Sequence, residues 1–488
     1  MELKETRQLT PGVKTLMVLG FAVMTGFMWR VRGEGGYGSM WGMFAVGVML
    51  VLFVFAFFGN RRKMSYEAIS AAVILLGITN GGWGTLNGQM GGYLGSTVPF
   101  TGEEAAATVE INPWYGLWVM LLLGFGWMPL FSIFMGSLFS KREYKIKNYI
   151  AIIAVFYVFV AAFMFFIAHF ILPYISPTAV EMFNDGLADK GIEMSPLMSF
   201  IKNMGSEAWF KKIPFGRNYY ASIRAISYAA SALLTSLTVI IAFRDKVTAL
   251  ISTAMNAVMA LAITLADVFL IIDSDKGFLA GVTPPAFLAE GSWSLWEYFT
   301  GFLLGFGMML IFVCLPKSLT EGEGKFEYNE PFKAKWIHGA YSAVLTLFFT
   351  FVLTVARPLG MRVADMLIEK GVVEDSEIPE IVIMAVLCVI GFIICASAAK
   401  KNVVSRGLPV PVPMRTEDFC MKNAPVYFFV TGIIYFFTDD ACLVNVIKNP
   451  SSLLNVARDA GIVLILVMLA SFALFYAFYL PACKKAKK

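Results

Sequence analysis

The sequence is poor in charge and in the side chains that most catalytic and metal sites require. Charged residues make up 15% of the 488 residues, against about a quarter in ordinary soluble domains. This excludes a soluble globule, a disordered chain and a nucleic-acid-binding protein. The chain has only two histidines, His169 and His338, and its six cysteines form no Cys-x-x-Cys pair, so neither a zinc centre nor a disulfide scaffold is expected.

Several motifs of nucleotide-dependent enzymes and hydrolases are also missing. The chain contains no GxxxxGK[ST] phosphate loop, no GxSxG nucleophile elbow and no HExxH helix. These patterns mark ATP hydrolysis, serine hydrolases and zinc proteases. No cofactor is therefore expected, and no motif assigns the chain to a family.

What the sequence has instead is long apolar runs. Hydrophobic residues make up 58% of it, and runs of about twenty apolar residues, enough to cross a hydrocarbon core of roughly 30 Å, recur along the whole chain. We predict an all-α polytopic membrane protein with about 12 transmembrane helices. The predicted spans lie near 13–29, 40–59, 66–86, 114–140, 149–175, 220–243, 248–272, 293–315, 340–360, 381–399, 424–440 and 460–480.

The distribution of charge supports this map and orients it. With the N- and C-termini both cytoplasmic, 25 of the 39 Lys and Arg residues fall on the inner side, and 23 of the 34 Asp and Glu residues fall on the outer side. Basic segments mark the cytoplasmic side because they resist translocation. The sequence therefore predicts a multi-pass protein of the plasma (inner) membrane with both termini in the cytoplasm.

The predicted spans divide into two six-helix halves, 1–243 and 244–488. The hexapeptide Ser-Met-Trp-Gly-Met-Phe at 39–44 resembles Ser-Leu-Trp-Glu-Tyr-Phe at 294–299, and these lie in the second and eighth spans, as a 6+6 pseudo-repeat requires. Residues 176–219 form an extracytoplasmic loop. Its stretch 194–215 is either an interfacial helix on the membrane surface or a connecting loop with helical turns.

A glycine-rich segment with three charges lies at the outer end of the first span. Arg30, Arg32 and Glu34 precede Gly35 and Gly36 there. Backbone without side chains can approach a ligand closely, so we interpret the segment as a broken or re-entrant helix whose amides and guanidinium groups bind an anion. The alternative is a tight turn whose arginines reach the lipid head groups.

Other polar side chains inside the spans converge on the outer third of the bundle. Ionisable groups in membrane spans are costly and therefore indicate function. The residues at this depth are Asn80, His169, Asp267, Glu297, Arg357, Asp439 and Asp440, and Asn256 is the main polar residue deeper in. With the glycine-rich segment, all of these except His169, which we interpret as a helix-packing residue, predict an outward-facing substrate-binding vestibule. The alternative for any one of them is pairing or snorkelling without function.

Two functions fit these features. One is a secondary active transporter of a small anionic or zwitterionic solute, in which arginines meet the solute and acidic residues bind Na+ or H+. The other is an integral membrane enzyme that transfers a glycosyl, acyl or phospho group at the outer leaflet, with a lipid-linked substrate and Glu34, Asp267 or Glu297 as the general base. Polar groups confined to the outer third suit the enzyme, whereas an alternating pathway also needs polar groups further in. The expected partners are the lipid bilayer, the small-molecule or lipid-linked substrate and Na+ or H+, without nucleic acid.

Overall fold

The computed structural model describes residues 11–34, 97–99, 108–142, 144–271, 279–282, 292–316, 332–333, 357–373 and 413–414, with isolated residues between 43 and 54 and between 382 and 393. Within these ranges the chain is helical apart from two short antiparallel pairings. Strand β1 (Thr97–Pro99) pairs with β2 (Thr108–Glu110), and β3 (Phe332–Lys333) pairs with β4 (Pro413–Met414).

Twelve α-helices are numbered here in chain order over the described ranges. They are α1 (Pro11–Glu34), α2 (Pro113–Phe125), α3 (Pro129–Leu138), α4 (Ile146–Ala162), α5 (Ala168–Ile175), α6 (Pro177–Asp189), α7 (Pro196–Lys202), α8 (Glu207–Phe210), α9 (Gly216–Phe243), α10 (Lys246–Ala266), α11 (Ser292–Cys314) and α12 (Arg357–Glu369). A π-helical turn, Phe163–Ile167, joins α4 to α5, and a 3-10 turn, Asp267–Leu270, extends α10.

Four helical segments of the described chain are long and apolar enough to cross a membrane. They are Lys147–Ile175, Gly216–Phe243, Lys246–Leu270 and Leu295–Cys314, and the bent pair α2–α3 makes a fifth if it is counted as one span. These segments coincide with the predicted spans near 114–140, 149–175, 220–243, 248–272 and 293–315. The helical fold, with several helices able to span a membrane, is thus confirmed over this part of the chain and is compatible with a multi-pass membrane protein. The total of twelve spans and the sides of the termini stay predictions.

The chain forms two contact units. One consists of Met1–Ile78 with Gly305–Lys488, and the other of Thr79–Leu304. The boundary predicted between residues 243 and 244 and the six-plus-six repeat stay predictions. The second unit contains α2 to α10 and the beginning of α11, and it holds most of the described structure.

The span predicted near 114–140 is two helices rather than one. α2 and α3 meet at an angle of 45°, and the break falls at Gly126-Trp-Met128 before Pro129. Proline has no N–H for the helical ladder and disfavours a helical conformation at the preceding residue. Met128 accordingly has φ −136° and ψ 42°, so the backbone turns at the middle of the span.

Helix α10 lies in backbone contact with both halves of this broken span. A Cβ atom added to Gly124 of α2 would lie 2.6 Å from the Cα atom of Ala260, and one added to Gly136 of α3 would lie 2.7 Å from the carbonyl oxygen of Thr248. Small residues at such positions allow membrane helices to approach closely, because lipid offers no hydrophobic force to drive them together. The two glycines therefore set the separation of α10 from α2–α3.

An aromatic cluster lies at the end of the unit away from the α9–α10 turn, where it covers the ends of α5 and α9. It consists of Phe183 of α6, Phe200 of α7, Phe210 of α8 and Tyr219 of α9, all buried. The rings of Phe183 and Tyr219 stack with their centroids 4.2 Å apart, and Phe200 lies 5.2 Å from Phe210. Residues 177–210 thus form three helices that pack onto the bundle through this cluster.

The other end of the unit is tied by a junction between two loops. Arg142 donates a hydrogen bond to the carbonyl oxygen of Phe243, and the Tyr144 hydroxyl donates to Oδ2 of Asp245 over 2.8 Å. Asp245 also caps α10, because its Oδ1 accepts the backbone N–H of Thr248 and its Oδ2 accepts the Thr248 hydroxyl at 2.6 Å. The loops before α4 and after α9, which the sequence assigns to the same side of the membrane, therefore meet at one end.

The hydrogen bonds at this junction set the ionisation of Asp245. Burial raises the pKa of its carboxyl group, but hydrogen bonds from Ser140, Thr248 and Tyr144 outweigh burial, and the pKa lies below its ordinary value. The pKa of Tyr144 is raised, mainly by burial and further by Asp245, so its hydroxyl keeps the proton that it donates.

We expect Gly136→Ala to destabilise the protein by about 1–3 kcal/mol, the usual effect of overpacking. In a helix with open space the same change is stabilising by up to about 1 kcal/mol. The sign of the stability change therefore shows whether α3 and α10 are in close contact. Thermal unfolding in detergent measures it. Gly20→Ala is the matched control, since a Cβ there meets only the terminal methyl of Met24 at 3.8 Å. Equal melting temperatures for the two variants would show that α3 and α10 separate without cost.

We expect Asp245→Asn to lower stability at pH 7 by about 1–2 kcal/mol, because hydrogen bonds to a carboxylate are stronger than those to an amide. A pKa lowered in the folded state means that the carboxylate stabilises the protein above the ordinary pKa near 4, and that this contribution is lost as the pH falls through the folded pKa. The difference in Tm between wild type and variant, followed from pH 7 to pH 3, should shrink towards zero. A Tm difference that does not change with pH would show that the ionised carboxylate of Asp245 does not stabilise the fold.

Candidate functional site

The structure describes about half of the residues predicted to bind substrate. Arg30 lies in the last turns of α1 and is buried, and Arg32 and Glu34 follow it within the same helix. Arg357 is the first residue of α12. Gly35, Gly36, Asn80, Asp439 and Asp440 lie outside the described residues. The role of this set as a vestibule stays a prediction.

Asp267 and Glu297 lie on two elements that contact each other. Asp267 begins the 3-10 turn after α10 and is fully buried, and Glu297 is buried in α11. The turn and the helix meet where the rings of Phe269 and Phe299 lie 4.7 Å apart. The structure therefore brings these two predicted acidic residues to the same end of the unit.

The carboxyl group of Asp267 has no hydrogen-bond partner. Both of its oxygens are buried without one, and so is the hydroxyl of Thr264, one helical turn earlier on α10. An ionised carboxylate buried in this way loses several kcal/mol of hydration with nothing to offset the loss. A proton or a bound cation would stabilise the group, and the Thr264 hydroxyl, three residues earlier on the same helix, is a second unpartnered oxygen.

A second set of unpartnered polar groups lies deeper along α10. Asn256 is fully buried, and neither the nitrogen nor the oxygen of its amide is hydrogen-bonded. The hydroxyl of Ser252, one turn away, is buried and unbonded too, as is that of Ser236 on α9. Each unsatisfied buried donor or acceptor costs about 1–3 kcal/mol, so Asn256 and Ser252, one turn apart on α10, mark a place where a polar ligand would be stabilising.

The register of α10 places Asn256 level with the break in the α2–α3 span. Gly124 contacts Ala260 and Gly136 contacts Thr248, so the segments run antiparallel and position 128 lies opposite position 256. Residues 248, 252, 256 and 260 follow one another at intervals of four, which keeps them along one slowly turning face of a helix. Because the first and last of these contact α2–α3, Ser252 and Asn256 face it between them.

Helix α9 closes the other side of the break. A Cβ atom added to Gly126 would lie 2.6 Å from the Cβ atom of Tyr228 and 2.9 Å from the backbone nitrogen of Ala229. The φ of Gly126 is −86°, so glycine is required here by this contact rather than by the backbone conformation. The guanidinium group of Arg224, one turn before Tyr228, lies 5.2 Å from the Tyr228 ring centroid.

His169 is a structural histidine with both ring nitrogens bonded. Its Nε2 atom lies 3.0 Å from the carbonyl oxygen of Met164, and its Nδ1 atom lies 2.7 Å from the Tyr219 hydroxyl. A carbonyl only accepts, so Nε2 carries the proton and Nδ1 accepts from Tyr219. The π-helical turn makes this geometry available, because the N–H of Ala168 bonds Phe163 and leaves the carbonyl of Met164 to the imidazole. The interpretation of His169 as a packing residue is confirmed.

Sequence reasoning missed several of these unpartnered polar groups. Asn256 was recognised by its depth, but Ser252, Ser236 and Thr264 carry no signal in the sequence, because serine and threonine in membrane helices ordinarily bond the carbonyl four residues earlier. Ser227 and Ser231 do so in α9. The break did have a signal, since Gly124, Gly126 and Pro129 interrupt a predicted span that is longer than one crossing needs.

No protein family, curated protein or solved structure matches this chain.

We expect Asp267→Asn to leave the melting temperature at pH 8 unchanged or to raise it, because the substitution removes a buried charge that has no partner. Functional groups held at a cost to stability commonly behave in this way. Thermal unfolding in detergent, with Asp245→Asn as the matched control at the other end of α10, measures the effect. A loss of stability as large as that of Asp245→Asn would show that Asp267 serves the fold.

Proposed function

We propose that the protein is a secondary active transporter of a small anionic or zwitterionic solute, coupled to Na+ or H+. The observation that carries the proposal is that one membrane helix, α10, bears buried polar side chains without partners at two depths, Asp267 at its end and Asn256 near its middle. Such groups are costly in a membrane protein and persist where ions or substrates bind.

Asp267 is the proposed coupling site. Its carboxylate is uncompensated, so its occupancy by a proton or by Na+ changes the energy of the surrounding helices by several kcal/mol. Oxygen ligands suit a hard cation such as Na+, and the Thr264 hydroxyl supplies one beside the carboxylate. Binding of the cation on one side of the membrane and its release on the other would then drive the solute.

The depth of the second set distinguishes the two functions that the sequence leaves open. Asn256 lies about 16 Å from Asp267 along α10, at 1.5 Å per residue, and Ser252 lies a turn further on. An alternating pathway needs polar groups at this depth, whereas a transferase at the outer leaflet does not. A general base must also reach its lipid-linked substrate, and Asp267 is fully buried. The geometry therefore favours the transporter.

We expect single cysteines at positions 252 and 264, introduced into a protein whose six natural cysteines have been replaced, to react with an impermeant maleimide from either side of oriented membranes. Both substitutions keep Asn256 and Asp267. If the pathway opens alternately, each position is reached from each side in turn, and Na+ or a change of pH shifts the ratio of the two rates.

The matched control for labelling is Ser231→Cys, because Ser231 is equally buried but hydrogen-bonded to Ser227 and lies on the face of α9 away from Ala229. It should stay unlabelled. Labelling of position 264 from outside alone, with position 252 unreactive from both sides, would replace the transporter with the outer-leaflet enzyme.

A further inference from the structure

We propose that the break between α2 and α3 is a binding subsite for a carboxylate group, formed by the N-terminus of α3 with the side chains of Asn256 and Ser252. The inference deepens the proposed function by naming the part of the solute that binds at mid-membrane. It depends on that function only for the identification of the bound molecule as the transported solute.

The N-terminus of α3 lacks the partners that a helix start normally has. No side chain caps it at Met128, and Pro129 has no N–H to satisfy. Among the described residues, no group accepts a hydrogen bond from the backbone N–H of Leu130 or of Phe131. Both residues are buried. Unpaired N–H groups and the helix dipole together make such a terminus a site for an anionic oxygen.

The side chains facing this terminus provide the second observation. Asn256 and Ser252 are fully buried and unbonded. By the register of α10, Asn256 is level with the break and Ser252 is level with position 132, in the first turn of α3. The Asn256 amide and the Ser252 hydroxyl are both hydrogen-bond donors. The donors at the break are thus two backbone N–H groups of α3, the Asn256 amide and the Ser252 hydroxyl. A carboxylate has two oxygens and about four lone-pair directions, so it can accept hydrogen bonds from all four.

The charge of the surroundings selects a singly charged group. α3 has no acidic residue in its first turn, so nothing there repels an anion. The residues of α10 and α9 that face the break, Asn256, Ser252 and Ala229, are uncharged, and the nearest cation among the described residues is Arg224, one turn before Tyr228, whose guanidinium group lies over the Tyr228 ring. A dianion such as phosphate would need cationic side chains in direct contact to offset its desolvation, whereas dipoles and neutral donors suffice for a monocarboxylate.

The carboxylate subsite and the cation site are separate. Asp267 lies about 16 Å along the axis of α10 from Asn256, further than a small amino acid or hydroxy acid can reach. The cation at Asp267 therefore acts on the carboxylate through the helix that both contact rather than by pairing with it. This separation allows the two sites to be tested independently.

The first experiment measures the thermal stability of the purified protein against sodium acetate, with sodium chloride at the same ionic strength and methylammonium chloride as references. We expect acetate alone to give a saturable rise in Tm of about 2 °C or more. Asn256→Leu and Ser252→Ala should raise the half-saturating concentration of acetate tenfold or more. Ser231→Ala should leave it unchanged.

A second pair of variants tests the helix terminus directly. Met128→Asp places a carboxylate at the N-cap of α3, within the same chain. We expect it to raise Tm without acetate and to abolish the response to acetate, because the tethered group occupies the site. Met128→Asn, which caps without charge, should raise Tm less. An unchanged acetate response in Met128→Asp would overturn the proposal even if Asn256→Leu failed to fold.

Asp267→Asn separates this inference from the transporter proposal. It should remove the effect of Na+ or pH and leave the acetate shift in place. An acetate shift in a protein whose positions 252 and 264 are not alternately accessible would keep the subsite and overturn transport. Absence of a saturable acetate shift in the wild-type protein, with alternating accessibility intact, would overturn the subsite alone.

Discussion

The arrangement of this unit depends on the backbone contact between α10 and the broken span α2–α3. Glycine at positions 124 and 136 removes the side chains that would hold the helices apart, and this contact fixes the register of α10. Because the break lies between the two glycines, the same register brings Asn256 to the height where the helical ladder is interrupted and Ser252 to the first turn of α3. The close packing and the polar site are therefore consequences of one constraint.

Hydrogen bonding is distributed unevenly along α10. At the beginning of the helix, Asp245 accepts hydrogen bonds from Thr248 and Tyr144, as a structural carboxylate should. At its other end Asp267 accepts none. In a bilayer an unsatisfied polar group finds no water to replace the missing partner. The contrast between the two aspartates of one helix therefore supports the proposal that Asp267 binds a cation, whereas Asp245 stabilises the fold.

The spans of the described region were predictable because apolar length and charge placement are local properties of a sequence. The bounds near 220–243 and 293–315 agree with α9 and α11 within a few residues. The span near 114–140 was wrong as a single helix, although Gly124, Gly126 and Pro129 carry the signal for a break. Asn256 was found by its depth, whereas Ser252 and Ser236 were not, since a serine in a membrane helix normally satisfies itself on its own backbone.

The sequence by itself determined that the chain suits lipid rather than water and that its spans are helices. A chain with 58% hydrophobic and 15% charged residues satisfies its backbone hydrogen bonds in lipid only by crossing it as helices. Only the tertiary structure decided which polar groups are satisfied. That property belongs to pairs of atoms rather than to residues, because the imidazole of His169 and the amide of Asn256 are equally polar in the sequence. The imidazole meets the Tyr219 hydroxyl on α9 and the Met164 carbonyl in its own helical segment, whereas the amide of Asn256 has no hydrogen-bond partner.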